Sequence, residues 1–350
     1  MRAKASERWK KINRESPAGT PEQEAWIPCG PGRNTQNRLC RFCLFAEGVY
    51  FVLRPKIGII GAGVVGTAVG VVLCEKGYEI TGAYDIKPES TQLLAKRTGC
   101  FVAANPEEVA CSADLIFITP CDSAIQNVVD TLADRRAIHS GHTLVHMSGA
   151  QSSEILDRAK EFGARVLSVH PLQSFANLDM AIVNLPGSVF SVEGDRQAFD
   201  IAVCIVETLG GEYFFIDRKA KPLYHAGACV VSNYLVTIID FGVKLLESAG
   251  IPKSMATRAL MPLINGTLHN IENIGIPKSL TGPIARGDLS TIIKHLDCLD
   301  EMAPQLTKLY GWLGYYTAQI ALEKGSIDKA AMEKFQKVFI QELTRVGSAQ

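Results

Sequence analysis

Ile57-Gly-Ile-Ile-Gly61-Ala-Gly63-Val-Val-Gly66-Thr-Ala-Val-Gly70-Val-Val-Leu-Cys74 is the stretch whose reading decides the fold. It carries no charge from position 57 to position 74. An uncharged run of about 18 residues is the lower limit for a membrane-spanning helix. The glycines at 58, 61, 63, 66 and 70 offer another reading. A buried strand, a glycine turn and a buried helix would be just as apolar. No second such run follows and the sequence beyond it alternates between strand and helix patterns, so the second reading is adopted and no membrane association is expected.

Gly61-Ala62-Gly63-Val64-Val65-Gly66 is a G-x-G-x-x-G turn between a predicted strand and a predicted helix. In that setting each glycine has a task. Gly61 permits the tight turn, Gly63 lets a pyrophosphate approach the backbone, and Gly66 lets the helix pack close to the strand. The N–H groups and dipole of the helix N-terminus favour the phosphates.

The alternation extends outward from this turn. Short β-rich runs are predicted at Lys56–Ile60, Glu79–Asp85, Ala113–Thr119, His142–Met147, Arg165–Val169 and Ser188–Val192. Helical stretches are expected at Val64–Lys76, Pro88–Arg97, Ser152–Phe162 and Asp195–Leu209, and Asp122 is a candidate N-cap. Such alternation implies an α/β fold with a doubly wound, parallel Rossmann sheet. After Asp217 the strand signals stop. Long helices are predicted at 221–249, 253–273, 289–299, 301–324 and 327–346, so the sheet is followed by an all-helical C-terminal domain. The division expected is a flexible N-terminal tail over 1–50, a dinucleotide-binding domain over 51–216 and a helical substrate and dimerisation domain over 217–350. The helix beginning at Lys221 is apolar almost all round, so it must be covered by its own bundle or by a partner subunit. A homodimer through the helical half is expected.

In an open α/β sheet, ligands bind beyond the carboxyl ends of the strands. Asp85 ends the second strand, where a carboxylate can accept hydrogen bonds from ribose hydroxyls. This favours NAD, although Lys87, Ser90 and Thr91 lie near enough in sequence to hold the extra phosphate of NADP. Thr119-Pro120, Met147-Ser148-Gly149 and His170-Pro171 end further strands and should face the same crevice. Hydride transfer at C–OH or C–NH needs a group that exchanges the accompanying proton, and histidine suits it. His170 is the first candidate, with Ser148 as its hydrogen-bond partner. His146 reads as a core residue.

Two candidates come from the helical half. His225 and Asn233 are eight residues apart, close to two turns, and share a helix face. Thr281-Gly-Pro-Ile-Ala-Arg286-Gly-Asp288 leads into a helix that Asp288 can cap. Arg286, held just before a helix N-terminus, is suited to grip a carboxylate. Asn233 is expected to orient the reacting atom. Arg286, Thr281 and His225 are expected to bind substrate.

Composition limits the alternatives. The 350 residues hold 36 Lys+Arg and 36 Asp+Glu, a net charge of zero. This argues against a broad nucleic-acid surface. The ten cysteines are scattered and form no disulfide framework, which fits the cytoplasm. Those of the body are expected to be packing residues. Residues 1–50 are basic and broken by Pro and Gly. Cys29, Cys40 and Cys43 there form less than a zinc set, so no metal site is predicted.

GAGVVG at 61–66, HPLQSF at 170–175 and SLTGPIARGD at 279–288 together resemble the Rossmann-like proteins that carry the C-terminal domain of unknown function 2520. The resemblance spans about residues 55–345. It implies an NAD(P)-binding domain followed by a helical dimerisation domain. The layout is also similar to that of prephenate dehydrogenases, pyrroline-5-carboxylate reductases and 3-hydroxyisobutyrate-type dehydrogenases. The first of these implies the Ser148/His170 arrangement. The last implies Asn233 as the Asn of a Lys-x-x-x-Asn pair, but Cys229 stands where the lysine would be, which argues against a lysine-based mechanism.

The sequence therefore predicts an NAD(P)-dependent oxidoreductase that moves a hydride to or from C=O or C=N of a small anionic substrate. The rival reading is a non-catalytic dinucleotide-binding redox sensor or interaction module.

Overall fold

The computed structural model describes residues 54–344, together with the backbone of an antiparallel pair, β1 (Cys43–Ala46) and β2 (Val49–Val52). The remainder of the tail, with Cys29 and Cys40, lies outside the described residues.

The main sheet begins with β3 (Ile57–Ile60), all four residues of which are buried. The chain continues through α1 (Val64–Glu75), β4 (Ile80–Tyr84), α2 (Pro88–Thr98), β5 (Phe101–Val102), α3 (Pro106–Cys111), β6 (Leu115–Ile118), α4 (Asp122–Asp134) and β7 (Thr143–His146). A 3-10 stretch, Ser153–Phe162, leads to β8 (Arg165–Pro171), α5 (Leu178–Asn184), β9 (Val189–Gly194), α6 (Phe199–Thr208) and β10 (Glu212–Phe215). The strand order is β10-β9-β8-β7-β6-β3-β4-β5. From β3 the chain winds outward through β4 and β5, then crosses back to β6 on the other side. The switch point between β3 and β6 is where a ligand crevice opens in such sheets.

The expected doubly wound sheet is present, with one departure. β9 pairs antiparallel with β8, and β10 runs parallel to β9, so the last two strands oppose the other six. Alternation alone cannot signal this, because a strand's apolar pattern is blind to its direction. The short elements β5 and α3, and strand β10, were not predicted. Ser153–Phe162 is a 3-10 rather than an α stretch. Asp122 does not cap α4: Cys121 holds that position, and Asp122 is the first helical residue.

Beyond Phe215 everything described is helical: α7 (Lys221–Ser248), α8 (Lys253–Ile274), α9 (Ile276–Ser279), α10 (Leu289–Met302), α11 (Pro304–Glu323) and α12 (Lys329–Thr344). The predicted helix over 301–324 instead breaks at Ala303, because Pro304 cannot continue the preceding helix. Asp288 caps α10 as predicted, accepting from Thr291 N–H at 3.1 Å. Ile292, Leu296, Ala318, Phe335 and Phe339 form a separate helical core. By contrast, only Lys221, Phe241 and Val243 of the long α7 are buried. Cys111, Cys121 and Cys298 are exposed, so they are not the packing residues expected; they sit at helix ends or on outer faces.

The glycine turn is fixed by contact with β6. Gly61 has φ +100°, and a Cβ there would collide with Thr119 and Pro120 backbone. Thr119 Oγ1 donates to Gly61 C=O at 2.7 Å. A Cβ on Gly66 would strike Gly61 C=O and Thr119 Oγ1, whereas one on Gly63 would meet nothing within 4 Å. Gly66→Ala should therefore destabilise the fold by about 1–3 kcal/mol, while Gly63→Ala stays within about 0.5 kcal/mol of the parent. Chemical denaturation of both variants checks this; equal midpoints would contradict the packing argument.

Candidate active site

Four strand ends meet at the switch-point edge. Gly61 follows β3, Thr119 follows β6, Ser148-Gly149 follow β7, and His170 lies near the end of β8. The crevice expected from the sequence is thus assembled from segments more than 100 positions apart.

One side is shaped for a dinucleotide. The helical bonding of α1 starts with Thr67 N–H to Gly63 C=O, which leaves the earlier N–H groups outside the ladder. No acidic side chain occupies its first turn, and Gly63 is exposed. Asp85, at the end of β4, is half-buried and accepts from Lys87 N–H at 2.8 Å. Gly61, Ala62, Gly63, Val64, Val65, Gly66, Asp85, Thr119 and Pro120 accordingly lie along one rim.

The other side is built on β8. Val166, Ser168 and His170 alternate onto one face of the sheet. His146 pairs with Ser168 on one flank, and Glu193 with Ser168 and Ser191 with His170 on the other. Paired residues share a face, so His146, Ser168, Glu193, Ser191 and His170 form a polar layer inside an apolar sheet. The start of α7 rises along this layer. Arg218 approaches Asp195 and Glu193, each at 3.5 Å, where Asp195 pairs with Val166. Lys221 Nζ donates to Ser168 Oγ at 2.6 Å. Tyr224 Oη lies 2.8 Å from His170 Nδ1.

His225 completes the crevice. Its ring meets that of His170 edge to face, with centroids 6.1 Å apart. A Cβ on Gly149 would strike both His225 Nδ1 and His170 Nε2, so two imidazole nitrogens converge over that glycine. His225 Nδ1 is buried with no hydrogen-bond partner in the protein, and Nε2 lies 3.5 Å from Cys229 Sγ. An orphaned buried acceptor or donor costs free energy unless something else satisfies it.

Several expected roles change. Ser148 does not bond His170: its hydroxyl donates to Asp122 at 2.7 Å and accepts from the N–H groups of Ala150 and Gln151. Tyr224 takes the place foreseen for it. Asn233 is exposed and lies about 12 Å beyond His225 along the helix, so it does not join the crevice. Thr281 and Arg286 are exposed too. Arg286 forms no ion pair among the described residues, though its charge helps hold the Asp288 carboxyl down to about 2, behind the hydrogen bonds from Thr291 and Ser290. The sequence reading missed Lys221, Tyr224, Ser168 and Glu193. A lysine was sought at Cys229, but the helix carries one two turns earlier. The available signal was the one charge in the first 19 residues of that helix.

Electrostatics follow from burial. Burial pulls the His170 imidazole down to about 3, with Lys221 and then His225 adding to the shift. Burial also lowers His146 to about 3 and His142 to about 4. Lys221 is pulled down to about 8 by burial, with Glu193 and Asp122 opposing. A cavity of about 650 Å³ lies at the opposite edge of the sheet, beside Lys56, Glu79, Asp114 and His139, and includes none of the crevice groups.

Residues 50–171 match the Rossmann-like domain family, and residues 188–317 match the domain of unknown function DUF2520. The chain is a Rossmann-like protein with a C-terminal DUF2520 domain. The stretch from β9 into α11, including Lys221, Tyr224 and His225, thus falls within the DUF2520 match. No curated protein sequence matches the chain. Among solved structures, a protein from Thermotoga maritima has 24% identity, covers 77% of this chain and 99% of its own, and has a TM-score of 0.61. A candidate NADP oxidoreductase from Bacteroides fragilis has 22% identity, covers 76% and 98%, and has a TM-score of 0.60. A pyrroline-5-carboxylate reductase from Coxiella burnetii has 14% identity, covers 81% and 98%, and has a TM-score of 0.52. These likenesses establish a shared fold.

Fully buried His142 and His146 make stability depend on pH. Unfolded, both protonate near 6.5; folded, not until about 4 and about 3. In between, the unfolded state binds more protons, so the stabilisation is complete above about 6.5 and is lost as pH falls. At pH 5 the loss should be roughly 2 kcal/mol per histidine. Denaturant titrations at pH 7 and pH 5 check this, and His146→Gln should flatten the dependence. A flat profile in the parent protein would refute it.

Proposed function

We propose that the protein is an NAD(P)-dependent oxidoreductase acting on C=O or C=N of a small anionic substrate. The observation that carries this reading is the convergence of His170 Nε2 and His225 Nδ1 over Gly149, on the sheet edge that bears the glycine turn. A non-catalytic dinucleotide binder would need the turn but has no use for two half-buried imidazoles facing a crevice. The structural likeness to a pyrroline-5-carboxylate reductase adds support for a carboxylated imine as the type of substrate.

When bound, the nicotinamide supplies or takes the hydride. The chain's own residues do the rest. The open backbone at Gly63 and the α1 N-terminus hold the pyrophosphate, and Asp85 accepts from the ribose hydroxyls, which favours NAD over NADP. His170 exchanges a proton with the reacting oxygen or nitrogen, and His225 hydrogen-bonds the same atom. Arg286 and Thr281 remain candidates for the substrate's carboxylate, contributed to the crevice by a partner subunit or by closure.

A second copy of the chain is the proposed cover for α7. Leu223, Val230, Val231, Tyr234, Val236 and Ile238 are exposed along it. The helical run Arg218–Ser248 is also long and apolar enough to cross a membrane. However, its first turns belong to the crevice and Asp240 pairs with Lys244 at 2.7 Å further along, which favours a protein partner. A cytoplasmic location is proposed from the scattered cysteines, which form no disulfide framework.

Purified protein should quench or enhance NADH fluorescence on binding. Asp85→Ala should weaken NADH roughly tenfold, leaving NADPH little changed. With a panel of keto acids and cyclic imines, His170→Gln should slow turnover by about 10²–10⁴-fold at similar cofactor affinity. Tight NADH binding with no hydride transfer to any panel member would favour the sensor reading. Light scattering should give a dimer that Val231→Asp dissociates; a monomeric parent would refute the proposed cover.

A further inference from the structure

Lys221 is an unusual residue for its position. It is fully buried, its only hydrogen-bond partner is Ser168 Oγ, and no carboxylate lies within ion-pair distance among the described residues. An ammonium removed from water without a paired carboxylate is costly, and methionine would fill the same space at less cost. Lys221 Nζ also lies 5.8 Å from the centre of the Tyr224 ring, and Tyr224 Oη reaches His170 Nδ1. The ammonium thus stands near the phenol ring, whose hydroxyl meets the imidazole at the crevice.

The groups around His170 leave a net positive field there. From α7 come Lys221, Tyr224 and His225. From β7 and the loop after it come His146 and Ser148, and from β9 come Ser191 and Glu193. From α4 comes Asp122. Both acids are already engaged. Glu193 accepts from Ser153 N–H at 2.6 Å and Ser153 Oγ at 2.7 Å, and Arg218 lies against it. Asp122 is exposed and accepts from Ser148. Neither faces Lys221 closely enough to cancel it. The Tyr224 phenol, held protonated by burial, has a hydrogen to give, and a neutral imidazole nitrogen is the stronger acceptor of the pair.

We propose that Lys221 and Tyr224 are positioning residues for His170: the buried ammonium on α7 sets a positive charge behind the phenol and imidazole, and the phenol donates to Nδ1, so that an Nε2–H faces the crevice over Gly149. A neutral imidazole of this kind polarises a carbonyl or imine by donating a hydrogen bond. In the reducing direction the substrate carbon takes the hydride of the reduced nicotinamide. The Nε2 proton passes to the oxygen or nitrogen as Nδ1 takes the phenol proton. The imidazole ends neutral and the negative charge ends on Tyr224, beside the Lys221 ammonium. This deepens the oxidoreductase reading and rests on it, but its test needs neither cofactor nor substrate.

The test is ¹⁵N NMR of the full chain with labelled histidine, the His170 signals identified by their loss in His170→Gln. The wild type should show the Nε2–H tautomer and no protonation of His170 above about pH 4. Lys221→Met should raise the His170 midpoint by about one pH unit or more, whereas Lys221→Arg, which keeps the charge, should not. Tyr224→Phe should abolish the single-tautomer signature. A wild-type His170 that titrates near 6.5, or is protonated on Nδ1, overturns the proposal even if no variant folds. So does an unmoved midpoint in folded Lys221→Met. Failure of hydride transfer with these NMR results intact would instead overturn only the oxidoreductase reading.

Discussion

The close approach of Gly61 and Gly66 to Thr119 is the constraint on which the rest of the structure depends. It pins the N-terminus of α1 against the end of β6, at the point where the winding of the sheet reverses. A side chain at position 61 or 66 would push the two strand ends apart. Gly63, between them, faces open space. The same six residues therefore combine two positions that tolerate nothing with one that must be left bare. The crevice inherits its floor from this contact, since the ends of β7 and β8 follow in register from β6.

The second organising feature is a polar layer in a place where apolar packing is the norm. Ile57, Ile59, Leu115, Phe117, Leu144 and Leu167 show the ordinary character of the sheet. His146, Ser168, Glu193, Ser191 and Lys221 are buried among such residues; Lys221 donates to Ser168, and Glu193 accepts from Ser153. Such layers are costly to assemble and are found where pKa values must be shifted. Here the shifts converge on one imidazole, reached by a phenol from behind and by open crevice in front.

Much of this could be read from the sequence, and the reasons differ by feature. The glycine turn was legible because three glycine roles and their flanking elements all lie within one short stretch. The strand-end crevice followed from a general rule about parallel sheets applied to Thr119, Ser148 and His170. Partnerships were not legible. Ser148 and His170 both end strands, yet Ser148 turns to Asp122 at the start of α4, and Tyr224 reaches His170 from a helix 54 residues away. Asn233 shares a helical period with His225, but a period says nothing about how far up the helix the sheet extends. Strand direction was hidden for the same reason: β9 reads identically either way, and only its register with β8 reveals the reversal.

That reversal has a mechanical consequence. Because β9 and β10 run backwards, α7 starts at the lower edge of the sheet and must climb past β8 to reach the crevice. Arg218, Lys221 and Tyr224 fasten it to Asp195, Ser168 and His170 on the way. The 3-10 turn Arg218–Ala220 and the first turn of α7 are thus fastened at three successive heights. Above His225 the fastening stops: a Cβ built on Gly227 would meet no atom within 4 Å, so no neighbour braces the helix on that side. The first turns of α7 are thereby tied to the sheet, so the attachment of the helical half begins inside a helix rather than at the end of the last strand.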